Sequence, residues 1–213
     1  MKTDDLISML ATGAAPVEPN TAWRRYAMAL GWGAFGCTLL MAVWLGVRRD
    51  IAAASLLPMF WVKLAFPGAL LVGALLMAQR LSRPGARLGH ALGWLGAPVL
   101  AMWLLAALVL MGAEPATYTR LIYGVSWQVC PFYIATLAAP AFVAVLWAMQ
   151  GLAPTSPALA GAAGGLVSGA LGALVYALYC PEMAAPFLGV WYLLGMLIPA
   201  ALGAVLGPLL LDW

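Results

Sequence analysis

Two cysteines, each followed by a proline, are the residues of this chain whose type and spacing suit chemistry. Cys130 lies in "WQVCPFY" and Cys180 lies in "LYCPEM". Residue 155, the midpoint between them, falls in the turn-like stretch "APTSP", so an antiparallel hairpin with equal arms brings both thiols to the same level. The level does not decide the helix face, and two unrelated buried thiols at helix ends stay an alternative. The third cysteine, Cys37 in "GAFGCTLL", suits apolar packing.

The elements that must position these thiols follow from the composition. Of the 213 residues, 65% are apolar and only 8% are charged, whereas soluble domains carry about 25% charged residues. Six nearly uncharged runs are long enough to cross a bilayer, which takes roughly 20 helical residues. The runs lie near 27–46, 60–79, 91–112, 130–149, 158–178 and 187–211.

The runs lack the alternation of barrel strands and therefore predict helices. The fold class is all-α: a polytopic six-transmembrane-helix bundle, 27–213, behind a cytoplasmic segment, 1–26. Short connections such as "GLAPTSPAL" predict antiparallel neighbours. In the second run, "PMFWVKLAFPG" includes Lys63. We expect its side chain to snorkel to the interface, the alternative being a buried functional lysine.

The basic residues predict the orientation. With a cytoplasmic N-terminus, six of the ten lysines and arginines lie inside and four outside, as the positive-inside rule requires. Both termini are then cytoplasmic in a bacterial inner membrane, and Cys130 and Cys180 face the outside together. In that oxidising compartment the pair can form a disulfide, bind a thiophilic metal or act as a redox switch.

The N-terminal segment predicts one short helix. Thr3 suits its cap, Asp4 and Asp5 its first turn, and Gly13 with Pro16 its end. One side of the helix is apolar: Leu6, Ile7, Met9 and Leu10. A helix of about ten residues is not stable alone in water. One interpretation is that the segment lies on the membrane surface or is a frayed tail. The other is that it binds in a groove on a cytoplasmic partner.

Small residues recur every four positions in the fifth run, at Gly161, Gly165, Gly169 and Ala173. Gly203 and Gly207 repeat the pattern in the sixth run. Such stripes allow close helix approach, which favours a tightly packed bundle over a pore.

The missing residue types narrow the function. A transporter places charged groups at mid-membrane, and Lys63 at the edge of its run is the one charged residue inside a run. The lone histidine, His90, lies in a loop, so the sequence predicts no enzyme. A Cys-x-x-Cys pair, which is usual in a thiol oxidoreductase, is absent. What remains is a membrane-embedded sensor with an outward thiol pair and an inward docking segment.

Three stretches carry a family resemblance: "MKTDDLISMLATGA", "WQVCP" and "VYALYCPEMAAPFLGVWYLLGMLIPAALGAVLGP". They resemble the NrsF family of six-helix membrane anti-sigma factors of Proteobacteria, over nearly the whole chain. The resemblance implies that the N-terminal segment holds an extracytoplasmic-function sigma factor at the membrane, with no direct contact to nucleic acid. The predicted partner-binding residues are Asp4, Asp5, Leu6, Ile7 and Leu10.

The resemblance also implies that Cys130 and Cys180 sense heavy metals or oxidants. The Cys180 thiol beside the carboxylate of Glu182, with Met183 near, is a candidate binding site for a soft cation. No cofactor is required, and a heavy-metal ion would act only as a transient signal. The alternative is a small polytopic transport or structural protein whose thiols staple the fourth and fifth helices.

Overall fold

The computed structural model describes residues 3, 5, 8–9, 21–82, 91–150, 152, 154 and 156–211. All regular structure within these ranges is helical. The predicted all-α class is therefore confirmed. In chain order the helices are α1 (Thr21–Trp44), α2 (Ile51–Ala54), α3 (Pro58–Leu81), α4 (Ala91–Met111), α5 (Tyr118–Tyr123), α6 (Cys130–Leu137), α7 (Ala139–Gln150), α8 (Pro157–Tyr176), α9 (Ala185–Phe187) and α10 (Leu193–Leu210).

Five helical stretches in the described ranges are long and apolar enough to cross a membrane, and a bent pair makes a sixth. The bent pair is α6 and α7, which meet at 45°. Pro140 explains the bend, because it has no amide proton to donate to the carbonyl of Thr136. The last stretch joins α9 to α10 through a π-helical turn, Leu188–Tyr192. These helices match the six predicted runs.

Helix α8 is the centre of the bundle, and it packs against α1, α3, α6, α7 and α10. Its tightest contact is with α10. A Cβ atom at Gly161 would overlap the carbonyl oxygen of Gly203, and one at Gly165 would overlap that of Pro199. The small-residue stripes predicted from the sequence therefore lie at this interface. They let two backbones approach closely enough for dispersion contacts along their length.

The connections 45–57, 112–129 and 177–184 form one end of the bundle, called here the thiol end. They hold one another through hydrogen bonds. The backbone amide of Val125 donates to Glu182 Oε1 at 2.8 Å, and the backbone amide of Arg48 donates to the carbonyl of Leu178 at 3.4 Å. Gly124 has φ +56°, and a Cβ atom there would lie 2.7 Å from the Glu182 carboxylate. Glycine is therefore required where these connections meet.

Only part of the predicted N-terminal helix falls within the described residues. Thr3, Asp5, Ser8 and Met9 are helical and exposed. Thr3 thus lies inside the helix rather than at its cap. Four of the five predicted partner-binding residues lie outside the described residues: Asp4, Leu6, Ile7 and Leu10. The docking role of this segment stays a prediction.

Candidate thiol site

Cys130 is the first residue of α6, and its amide donates to the carbonyl of Ser126 at 2.9 Å. Pro131 follows at a position where a helix needs no amide donor. Cys180 lies just beyond α8, where its amide donates to the carbonyl of Tyr176 at 2.9 Å. Each cysteine is thus placed by a helix end.

The two thiols meet at one residue, Tyr176, whose side chain lies next to both of them. Both cysteines belong to the same apolar core at the thiol end, and neither has any exposed surface. That both thiols lie on the outer side of the membrane stays a prediction. Both lie next to Tyr176 at the same end of the bundle, and both are fully buried there. Both are free thiols rather than a disulfide.

Aromatic rings surround the thiols. Tyr176 packs against Tyr192 with ring centroids 5.7 Å apart and against Tyr133 at 6.2 Å. The Tyr192 side chain is fully buried beside Cys180. Its hydroxyl makes no hydrogen bond of normal geometry with any described residue. The Cys180 thiol is the polar group that lies next to this hydroxyl.

Lys63 completes the site, against expectation. It was predicted to snorkel to the interface, but its side chain is 0% exposed. Its Nζ atom donates to the carbonyl oxygen of Cys180 at 2.5 Å and to that of Glu182 at 2.9 Å. It also lies 5.7 Å from the centroid of the Tyr192 ring, within the range of a cation–π contact. The Lys63 side chain points inward because the 177–184 connection supplies carbonyl oxygens as hydrogen-bond acceptors, which lipid tails do not.

A second cation reaches the same backbone. Arg48 Nη1 donates to the carbonyl oxygen of Cys180 at 3.4 Å. The Arg48 guanidinium also donates to both carboxylate oxygens of Asp50, at 2.7 and 2.6 Å. These hydrogen bonds hold the pKa of Asp50 below its usual range. Two basic side chains, Lys63 from α3 and Arg48 from the 45–57 connection, thus donate to the carbonyl oxygen of Cys180.

Glu182 and Met183, predicted as further ligands for a soft cation, are both half-buried. The Glu182 carboxylate is engaged by the Val125 amide, so its first role is to join two connections. Within the ranges that the structure describes, no three His, Cys, Asp or Glu side chains are grouped to hold a metal ion. Cys130 and Cys180 offer two sulfur donors, which suit a thiophilic cation.

Cys37 takes the packing place predicted for it. It is fully buried in α1 and lies against the backbone of Ala141 in α7. It has the same burial as the other two cysteines, which makes it a matched control for experiments on them.

Sequence reasoning missed Tyr176 and Tyr192 as parts of the site. A signal for Tyr176 was present, because it precedes Cys180 by one helical turn in "YALYC". Tyr192 is twelve residues beyond Cys180 and is the last residue of the π-helical turn. Such single π turns often mark functional positions. The Trp103 indole donates to the carbonyl of Gly189 in this turn at 3.0 Å.

Comparison with known proteins assigns the chain to a family. The family described as "Negative regulator of sigma F", NrsF, matches residues 10–213. A protein of Azospira oryzae named "Probable anti-sigma-F factor NrsF" is 55% identical, and the match covers all of both chains. The "Anti-sigma-F factor NrsF" of Caulobacter vibrioides is 40% identical, again over both whole chains. No solved structure matches this chain. At these identities over the full length, the chain belongs to the NrsF family of negative regulators of sigma F.

Proposed function

We propose that this protein is an inner-membrane anti-sigma factor. Segment 1–26 holds an extracytoplasmic-function sigma factor at the membrane, and modification of the Cys130–Cys180 pair releases it. The observation that carries the proposal is membership of the NrsF family over residues 10–213. Two relatives whose full length matches the chain are named as anti-sigma-F factors.

The arrangement of the thiols supports the sensing half of the proposal. Two free thiols lie against one tyrosine in a buried cluster, so a single event can engage both. Hydrogen peroxide would take one hydrogen from each thiol, leaving a sulfur–sulfur bond and two waters. A divalent soft cation would instead bind both sulfur atoms as thiolates and release two protons to water.

Burial adds a condition to sensing. Because neither thiol is exposed, an ion or oxidant reaches them only when the thiol end opens. A signal that bonds the two sulfurs then favours the opened or rearranged packing over the one described here. By linkage, the signal shifts the equilibrium only by its difference in affinity for the two states.

The exposed residues of the N-terminal helix support the docking half. Asp5 and Met9 are helical and exposed, so their side chains are accessible at the surface. A helix this short gains stability by binding an apolar groove on a partner.

The test is co-purification of the sigma factor with the membrane fraction. The full-length protein is expressed with its sigma factor, membranes are isolated, and the retained sigma factor is quantified before and after Cd²⁺ or diamide. We expect retention without the signal and release with it. The Cys37→Ser variant should behave as the parent does. A sigma factor that stays in the soluble fraction in all samples would contradict the proposal and favour the thiol-staple alternative.

A further inference from the structure

Helix α3 is anchored to a different element at each of its ends. At the thiol end, Lys63 donates to the carbonyls of Cys180 and Glu182. At the other end, Ser82 caps the helix and lies 2.9 Å, oxygen to oxygen, from the Tyr26 hydroxyl. Both ends are buried: Lys63 and Tyr26 have no exposed surface, and Ser82 has 6%.

The direction of the second contact follows from proton counting. The Ser82 hydroxyl donates its one proton to the carbonyl of Ala78 at 2.8 Å. Tyr26 must therefore be the donor and Ser82 Oγ the acceptor. Tyr26 lies near the start of α1 (Thr21–Trp44), which follows directly on the N-terminal segment. This hydrogen bond fixes the base of that segment to the end of α3.

The two anchors lie on opposite sides of the bilayer. Lys63 and Ser82 are 19 residues apart, which is about 28 Å along a helix axis. Pro67 leaves the Lys63 carbonyl without a helical donor, so the hydrogen-bond ladder alone does not join the ends. The buried face of α3 connects them through two core clusters: Phe66 and Leu70 belong to the cluster that holds the thiols, Ala74 and Ala78 belong to the cluster that holds Tyr26, and Leu71 packs against both.

We propose that α3 is a latch for the resting state, closed by Lys63 on the thiol connection and by Ser82 on Tyr26. The inference rests on the proposed function and deepens it by naming the path of the signal. Cys180 supplies both the reactive thiol and the carbonyl that binds Lys63. When its sulfur is drawn onto Cys130 or onto a shared cation, the residue moves and the Lys63 contact opens.

The groups that face the Lys63 ammonium come from every neighbouring element. They are Cys130, Cys180, Tyr192 and Arg48, together with the carbonyl of Glu182. No carboxylate in the described ranges forms an ion pair with it at salt-bridge distance. The ammonium is therefore held by carbonyl dipoles and a ring, which makes its position depend on the backbone at Cys180.

A remote substitution tests the latch. Tyr26→Phe removes one hydroxyl at the far end from the thiols. If the contact belongs to the resting state, its loss shifts the equilibrium toward release, and reciprocity requires tighter Cd²⁺ binding at the thiols. We expect the Cd²⁺ Kd to fall about fivefold, the factor for one hydrogen bond of ordinary net strength. The Kd is measured on the full-length protein in lipid nanodiscs by thiolate-to-metal absorbance.

The same shift should be seen in cells, as a fall of about fivefold in the Cd²⁺ concentration for half-maximal output of a sigma-dependent reporter. Lys63→Met should shift the reporter in the same direction. Tyr118→Phe and Arg49→Met are the matched controls, and both should behave as the parent. If Lys63→Met does not accumulate in the membrane, Tyr26→Phe decides alone.

The outcomes separate the two proposals. A parent protein that binds Cd²⁺ and releases sigma, with Tyr26→Phe indistinguishable from it in both measurements, overturns the latch and leaves the proposed function intact. A parent that neither binds Cd²⁺ nor releases sigma overturns both. A Tyr26→Phe protein with weaker Cd²⁺ binding also overturns the latch, because the sign of the coupling would then be reversed.

Discussion

Gly161 of α8 and Gly203 of α10 face each other so closely that a Cβ atom on either would overlap the carbonyl oxygen of the other. This contact joins the helix that leads to Cys180 to the helix that follows Tyr192. The geometry of the thiol site therefore depends on a backbone contact well inside the bundle.

The first prediction tests this contact. Gly203→Val should destabilise the protein by about 2 kcal/mol or more, because two helix backbones must separate to admit the side chain. The measurement is the thermal unfolding midpoint in detergent. Gly31→Ala is the matched control, since a Cβ atom at this helical glycine meets nothing within 4 Å. Equal midpoints for both variants would show that α8 and α10 do not pack as described.

The second prediction concerns the thiols. Cys130→Ser and Cys180→Ser each remove a soft ligand and the possibility of a disulfide, so each should abolish the response to Cd²⁺ or diamide while repression persists. The double variant should be no worse than either single one, because a pair that acts as a unit fails when half is lost. A sigma-dependent reporter measures the response.

Cys37→Ser controls for placing a hydroxyl in the buried core, because Cys37 is as buried as the other two cysteines. It should respond as the parent does. If all three variants respond normally, the thiols only pack, and Glu182 and Met183 become the next candidates for the sensor.

The third prediction concerns orientation. The arginines at 24, 25, 80, 83 and 87 favour a cytoplasmic side for the end where α3 finishes. A reporter fused after residue 85 should therefore be active as a cytoplasmic fusion and one after residue 182 as a periplasmic fusion. Alkaline phosphatase and green fluorescent protein fusions measure this. The opposite pattern would place the thiols in the reducing compartment and remove the basis for oxidant sensing.

The fourth prediction concerns the N-terminal helix. Leu10→Asp should release the sigma factor and leave its reporter on without a signal, because a charge in an apolar groove costs about 2 kcal/mol or more. Ser8→Asp places the same charge on the predicted polar side and should keep repression. Repression retained by Leu10→Asp, at a normal amount of protein in the membrane, would place the contact elsewhere.

The six spans and the level of the thiols could be predicted from the sequence for physical reasons. Each bilayer crossing requires about 20 apolar helical residues. Runs of this length and composition can be recognised from the sequence alone. The small-residue stripe at Gly161, Gly165 and Gly169 predicted a close helix contact because the spacing of four follows the helix period. The level of Cys130 and Cys180 followed from equal arms about a turn.

Burial of the thiols and the partners of Lys63 were decided only by tertiary structure. A count along a hairpin gives height but not which face a thiol presents or what covers it, and here both thiols are fully buried. The sequence also showed Lys63 at the edge of an apolar run, where snorkelling is the ordinary solution. The carbonyls of Cys180 and Glu182 lie more than a hundred residues away, and only the packing of α3 on α8 brings them within hydrogen-bonding distance.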